Sequence, residues 1–239
     1  MQWQQHLRII LAGPRNPLNI GAAARAMLNF GFGELWLVDP YPPAFREARS
    51  AVGAQDVLRR AKVTSDLAEA LGESSLVVAT SVLRARSEPH VRRMLPDGAP
   101  VLRTHLATRP AALVFGCEKF GLSSEQLSFC DWILTIPTGE DCPSMNLGQA
   151  VALCCYEIAR RARPVPALRT PATADAAQRE RIVEMLTPIL EAGGYLLPNT
   201  RGSQLKKVRR WVGRLRLAPA DARMMQGMLR QVRWKVEHS

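Results

Sequence analysis

Five short apolar runs separated by helical patterns recur through the first 160 residues, and they restrict the fold more than any other feature of the sequence. Residues 7–12, 34–38, 76–80, 111–115 and 132–136 have the length and continuity of strands buried on both faces. Between them, residues 20–30, 54–60, 66–71 and 123–129 read as helices, the last opened by a capping box, Ser123-x-x-Gln126. Such alternation predicts an α/β domain with a mostly parallel sheet and helices on both faces.

Residues 147–161 form the best helix of this half, with Leu147, Val151, Cys154 or Cys155, and Ile158 at helical spacing. Pro164 and Pro166 stop it. A methyltransferase-sized body is therefore expected over residues 1–163 and a proline-bearing linker over 164–174. A small all-helical domain follows over 175–239, with helices at 175–192, 203–211 and 220–236. Three helices in about 65 residues bury a thin core, so the tail is expected to lean on the body, on a partner subunit or on nucleic acid.

Charge divides along the same boundary. Residues 1–159 hold 15 Lys and Arg against 15 Asp and Glu, whereas residues 160–239 hold 17 against 6. The tail accounts for the whole excess of +11. A cationic tail on a neutral body points to a polyanion, because each phosphate neutralised releases condensed counterions.

Several classes are disfavoured. The five cysteines (Cys117, Cys130, Cys142, Cys154, Cys155) form no C-x-x-C pair and have no interleaved histidines, so no metal site or disulfide framework is expected. They read as reduced core or near-core residues. The four histidines lack metal-ligand spacing. The first residues lack a secretory pattern and no run is long enough to span a membrane, so a cytoplasmic protein is expected. Dinucleotide, P-loop and α/β-hydrolase signatures are missing.

Three segments fall at strand ends, where ligands bind in parallel α/β sheets. The first runs from Gly13 to Arg25; Asn19 is expected to cap the following helix, and Arg25 lies one turn beyond Gly21 on the same face, suited to a phosphate. The second, Phe115 to Leu122, places two glycines after a buried strand. The third ends a strand at Ile136 and reaches Ser144-Met145-Asn146-Leu147, where Ser144 or Asn146 can cap the long helix.

In this order the segments resemble the three motifs of the SpoU/TrmH group of SPOUT methyltransferases: Asn19-x-Gly21-x-x-x-Arg25, Gly116-x-Glu118-x-x-Gly121-Leu122, and Ser144-x-Asn146-Leu147. The match covers residues 7–161. Met145, where leucine is common, and Cys117 and Phe120 depart from the pattern without removing a polar group. The catalytic body, linker and basic tail resemble the TrmJ-type subgroup, the tRNA (cytidine/uridine-2′-O-)-methyltransferases.

The resemblance implies a trefoil knot at the C-terminal part of the α/β domain, a homodimer through the knot region, and sites that draw on both subunits. It implies transfer of methyl from S-adenosylmethionine to a ribose 2′-hydroxyl of tRNA, at nucleotide 32 of the anticodon loop. The cofactor site would comprise Thr80, Ser81, Gly116, Glu118, Gly121, Ile136, Ser144, Met145, Asn146 and Leu147. Arg25 and Asn19 would be catalytic, Asn19 positioning Arg25 or the ribose. RNA contacts are expected from Arg15, Arg84, Arg86, Lys206, Lys207, Arg209, Arg210, Arg214, Arg230 and Arg233. Trp211 and Trp234 are expected to pack inside the tail rather than stack on bases. The competing readings are an enzyme for rRNA or another tRNA position, a non-catalytic RNA-binding protein, and a DNA-binding regulator.

Overall fold

The computed structural model describes residues 3–41, 53–82, 90–160 and 172–238. Among these, seven strands form one sheet: β1 (Leu7–Ala12), β2 (Glu34–Val38), β3 (Lys62–Thr64), β4 (Leu76–Thr80), β5 (Val91–Met94), β6 (Ala111–Phe115) and β7 (Trp132–Thr135). Their order is β3-β2-β1-β6-β4-β7-β5 and every pairing is parallel.

Alternate residues of each central strand feed two separate cores, as a period of two requires. Leu7, Ile9 and Leu11 of β1 join Leu113 and Phe115 of β6 on one face. Helices α1 (Pro17–Asn29), α2 (Gln55–Arg60), α4 (Leu95–Leu106) and α6 (Leu147–Ala159) cover that face. Ile10, Ala12, Val77, Val114 and Ile133 point the other way, under α3 (Leu67–Leu71) and α5 (Ser124–Ser128). Apolar matter on both sides explains why these strands carry uninterrupted Leu, Ile, Val and Ala.

Helices α1 and α6 pack side by side. A Cβ built on Gly148 would come within 2.6 Å of the Ala22 Cβ, so the small residues of α1 and the glycine of α6 are what lets the two axes approach. The N-cap of α1 is Asn16, whose side chain accepts from Leu18 N at 2.9 Å. Asn19, expected as the cap, instead lies in the first turn and is buried, which leaves its amide free for long-range use. The capping box at Ser123 and Gln126 is present.

Two strands and a helix were not legible. β3 has three residues, and β5 is an edge strand reading Val91-Arg92-Arg93-Met94. Helix α4 begins Leu95-Pro96-Asp97-Gly98-Ala99-Pro100, which reads as a turn; it is helical because Leu95, Ala99, Leu102 and Leu106 bury one face. Cys130, Cys154 and Cys155 are buried, but Cys142 is exposed, contrary to its reading as a near-core residue.

The tail holds α7 (Ala176–Ala192), α8 (Arg201–Arg214) and α9 (Pro219–Glu237). Its core is small: Ala174, Ile182, Val183, Val208, Val212 and Ala222. It docks on the body through Ala176 N to Ser74 O (2.9 Å) and Ala177 N to Gly72 O (3.0 Å), and through the ion pair of Arg179 with Asp131. No helix among the described residues is long and apolar enough to cross a membrane.

Candidate active site

A cleft of about 310 Å³ opens at the carboxyl ends of β4, β6 and β7, near the middle of the sheet. Three segments wall it: Thr80 and Ser81 after β4, the loop 116–122 after β6, and Ile136 to Leu147 between β7 and α6. Its size is within the range of small-molecule sites.

The 116–122 loop folds back on itself, with Gly121 N donating to Cys117 O at 2.9 Å. A Cβ on Gly116 would lie 2.1 Å from the Gly121 carbonyl carbon, and Gly121 itself has φ +67°. Only glycine permits both the close approach and the left-handed turn. On the neighbouring strand the Thr80 hydroxyl donates to Val114 O at 3.1 Å, and Ser81 N donates to Leu134 O at 3.1 Å, which fixes where the cleft begins.

The three motifs are joined by a polar chain. Asn146 caps α6, accepting from Gln149 N at 3.3 Å, and its Nδ2 donates to Asn19 Oδ1 at 2.8 Å. Asn19 Nδ2 in turn donates to Glu118 Oε1 at 2.9 Å. The Glu118 carboxylate also accepts from the backbone N–H groups of Arg15 (3.2 Å) and Asn16 (3.1 Å). Burial pushes the Glu118 carboxyl up, but these donors outweigh it and hold it below its ordinary value. Asn19 is thus committed between Glu118 and Asn146, rather than to Arg25.

All the expected cofactor residues line the cleft except Asn146, which stands behind it as the end of the polar chain. Arg25 does not line it; the side chain is exposed on α1. Arg92 does line it, and its Nη1 donates to Val82 O at 3.3 Å. That residue escaped the sequence reading because β5 itself did.

The expected RNA contacts divide. Arg15, Lys207, Arg214, Arg230 and Arg233 are exposed, while Lys206 and Arg210 are half-buried. Arg209 is only 12% exposed; its Nε and Nη2 each meet a Glu180 oxygen at 2.9 Å, its Nη1 meets Ser128 Oγ at 3.2 Å, and it covers the Phe129 ring. It holds the tail to the body and is not free for a phosphate. Arg84 and Arg86 lie outside the described residues. Trp211 and Trp234 are both exposed, contrary to the expectation of packing, and Trp234 stacks on His238.

Among the described residues no group of three or more His, Cys, Asp or Glu side chains is placed to hold a metal ion. Comparison with known proteins then decides the family. Residues 6–156 match the SpoU rRNA Methylase family. The chain belongs to the SpoU methylases.

Membership makes it an RNA methyltransferase. One relative, the tRNA (cytidine/uridine-2′-O-)-methyltransferase TrmJ of Cronobacter sakazakii, is 33% identical over 238 residues, 95% of this chain and 96% of that one. The tRNA/rRNA methyltransferase LasT of Escherichia coli is 39% identical over 194 residues, covering 78% of this SpoU methylase and 83% of LasT. The crystal structure of TrmJ from Z. mobilis ZM4 superposes with a TM-score of 0.81 at 28% identity, over 94% of this chain and 98% of the other. That superposition spans the helical tail as well as the body.

Proposed function

We propose that this SpoU methylase transfers methyl from S-adenosylmethionine to a ribose 2′-hydroxyl of tRNA, at nucleotide 32 (cytidine or uridine) of the anticodon loop. The observation that carries the reading is the Asn146–Asn19–Glu118 chain, which ties all three motifs together beside one cleft. The similarity to TrmJ proteins over nearly the whole chain, tail included, favours tRNA over other RNAs.

The cleft suits the cofactor. Phe115, Leu134, Ile136 and Leu147 offer an apolar wall for a purine, and the hydroxyls of Thr80, Ser81 and Ser144 stand beside it. The tight 116–121 loop would present backbone groups to the ribose and amino-acid ends. Bound there, S-adenosylmethionine supplies an electrophilic sulfonium methyl group. The chain's own contribution is mostly alignment.

Arg25 stays protonated at any working pH, so it does not serve as a base. It binds the phosphate beside the target ribose and lowers the pKa of the hydroxyl. The hydroxyl proton passes to a phosphate oxygen or water as the O–C bond forms and the S–C bond breaks. Asn19 acts as a positioning residue for the motifs.

We infer a homodimer through α1 and α6. Leu18, Leu28, Leu153 and Tyr156 are exposed on these helices, and Arg25, outside its own cleft, stands on the same helix as two of them. A second copy would cover the apolar side chains and bring Arg25 to the partner's cleft. The insertion of β7 between β4 and β5, which flank it, supports the expected trefoil knot. The separate tail core supports a division into body (1–163), linker (164–174) and tail (175–239). Arg15, Lys206, Lys207, Arg210, Arg214, Arg230 and Arg233 remain the phosphate contacts of this reading.

The test is transfer of labelled methyl to an unmodified tRNA transcript, followed by mapping of the product. Label in a 2′-O-methylated nucleotide 32 is expected. Label at another tRNA position, or in rRNA alone, would overturn the position or the substrate. No transfer despite cofactor binding would overturn catalysis.

A further inference from the structure

A second cavity of about 310 Å³ lies where the tail meets the body. The body contributes residues 128–131 to its wall, and the tail contributes α7, α8 and the turn after α8. Five arginines face it, Arg179, Arg209, Arg210, Arg214 and Arg216, against the carboxylates of Asp131 and Glu180.

The two carboxylates are already spent. Asp131 Oδ2 accepts from Val77 N at 2.8 Å and Oδ1 pairs with Arg179 Nη1 at 2.6 Å. Glu180 is held bidentately by Arg209. Arg214 and Arg216 are exposed and have no carboxylate partner among the described residues. The cavity therefore keeps a cationic excess after its ion pairs are counted.

It also keeps an unused donor. Arg179 is 14% exposed, yet its Nη2 is fully buried without a hydrogen-bond partner. An orphaned donor on a charged group costs about 1–3 kcal/mol or more, and such groups in folded proteins call for a ligand or a function. A planar guanidinium with one free fork arm, in a pocket ringed by further guanidinium groups, is matched by phosphate oxygens.

The place of the cavity adds to the case. Consecutive residues of α5 serve the two sites: Leu127 lines the cofactor cleft and Ser128 lines the cavity. Consecutive residues of β5 do the same, Arg92 toward the cleft and Val91 toward the cavity. A phosphate held here would sit one wall away from the cofactor.

We propose that this cavity is a phosphate-binding site that seats one backbone phosphate of the RNA substrate, in the same chain whose cleft it adjoins. The RNA half of this inference rests on the function proposed above; the phosphate half does not. A strand seated in the cavity is fixed against both tail and body, so the tail orients RNA as well as attracting it.

The variant that tests it is the double substitution Arg214→Gln and Arg216→Asn in the full chain. Both side chains are exposed, and asparagine tolerates the positive φ of residue 216 (+47°), so the fold should survive. The first measurement is thermal denaturation with inorganic phosphate titrated against chloride at matched ionic strength. Phosphate should raise the Tm of the wild type and not that of the double variant. The second is the salt dependence of binding to a tRNA transcript, whose log–log slope should fall by about 2 in the variant, one per lost phosphate contact.

Phosphate protection with an unchanged RNA slope would overturn RNA as the source and leave a site for a free phosphate compound. Equal response of both proteins to phosphate, together with an unchanged slope, would overturn the site altogether. Neither result would touch the methyl-transfer reading, which fails only if labelled methyl reaches no RNA.

Discussion

The carboxyl end of the sheet and the helical tail both gather polar side chains, but they spend them differently. At the cleft, Asn146, Asn19 and Glu118 satisfy one another and the neighbouring backbone, and the loops they join are packed so closely that Gly116 has no room for a methyl group. In the tail only Arg179 and Arg209 are drawn inward by carboxylates, while Lys207, Arg214, Arg230 and Arg233 remain on the surface over a core of six small or branched residues. The cleft is a preorganised site, in which geometry is fixed before a ligand arrives. The tail is a charged surface whose order depends on what it leans against.

The sharpest test of this contrast is Arg25→Lys, which keeps the charge on α1 and discards the planar fork. A fall in kcat of about 100-fold is expected, the scale of loss when a reacting group is misplaced by an ångström. Cofactor affinity, measured by calorimetry, should not change. Near-normal turnover would mean that charge alone suffices and that preorganisation ends at the polar chain.

Asn19→Ala cuts that chain at its centre. It leaves the Asn146 amide and one Glu118 oxygen short of a partner and should cost about 2–3 kcal/mol in denaturant unfolding. Glu118 is held below its ordinary value, so its stabilisation is present above the usual carboxylate range and is lost as pH falls through that lowered value. Without Asn19 the loss should begin at higher pH. An unaltered acid limb would show that the backbone donors of Arg15 and Asn16 carry Glu118 alone.

Arg209→Met addresses the other region. Removing one partner of a mostly buried ion pair should weaken tail docking by about 2 kcal/mol. Hydrogen exchange should then rise in α8 but not in β4 or β6. Equal loosening of both regions would dissolve the distinction between them.

The smallest effect concerns His105, beside Ser75 at 2.9 Å. Burial first, and then Arg109, lower its pKa to about 4. The folded chain therefore binds fewer protons than the unfolded chain between pH 6.5 and 4, and stability falls as pH falls through that window. His105→Asn should remove about 1 kcal/mol of that dependence once solvent screening is allowed for. An unchanged pH profile in urea would exclude His105 as its source.

What could be read in advance follows the same division. The central strands announce themselves because both faces are buried and their apolar runs are unbroken. β5 does not, since it is an edge with Arg92 and Arg93 in four residues, and with it went Arg92 as a cleft residue. α4 was hidden by Pro96 and Pro100, whose local preference is overridden by the burial of Leu95, Ala99, Leu102 and Leu106. The motif residues were found by their order and spacing, yet their roles were not. Asn19 reads locally as a helix cap, and nothing in its neighbourhood announces partners about 100 residues away. In the tail, composition revealed the charge but not that Arg209 is consumed by Glu180, because pairing between two helices leaves no pattern in the linear sequence.

Asn19 and Asn146 are 127 residues apart in the chain, and the bond between them closes the site. During synthesis the first motif leaves the ribosome long before the third, at about 5–20 residues per second. For several seconds every growing chain carries Arg25 and the first strands with no cleft to serve. Activity therefore arrives in one step, when α6 emerges and seats Asn146 against Asn19, and no shorter nascent chain holds a working fraction of the enzyme.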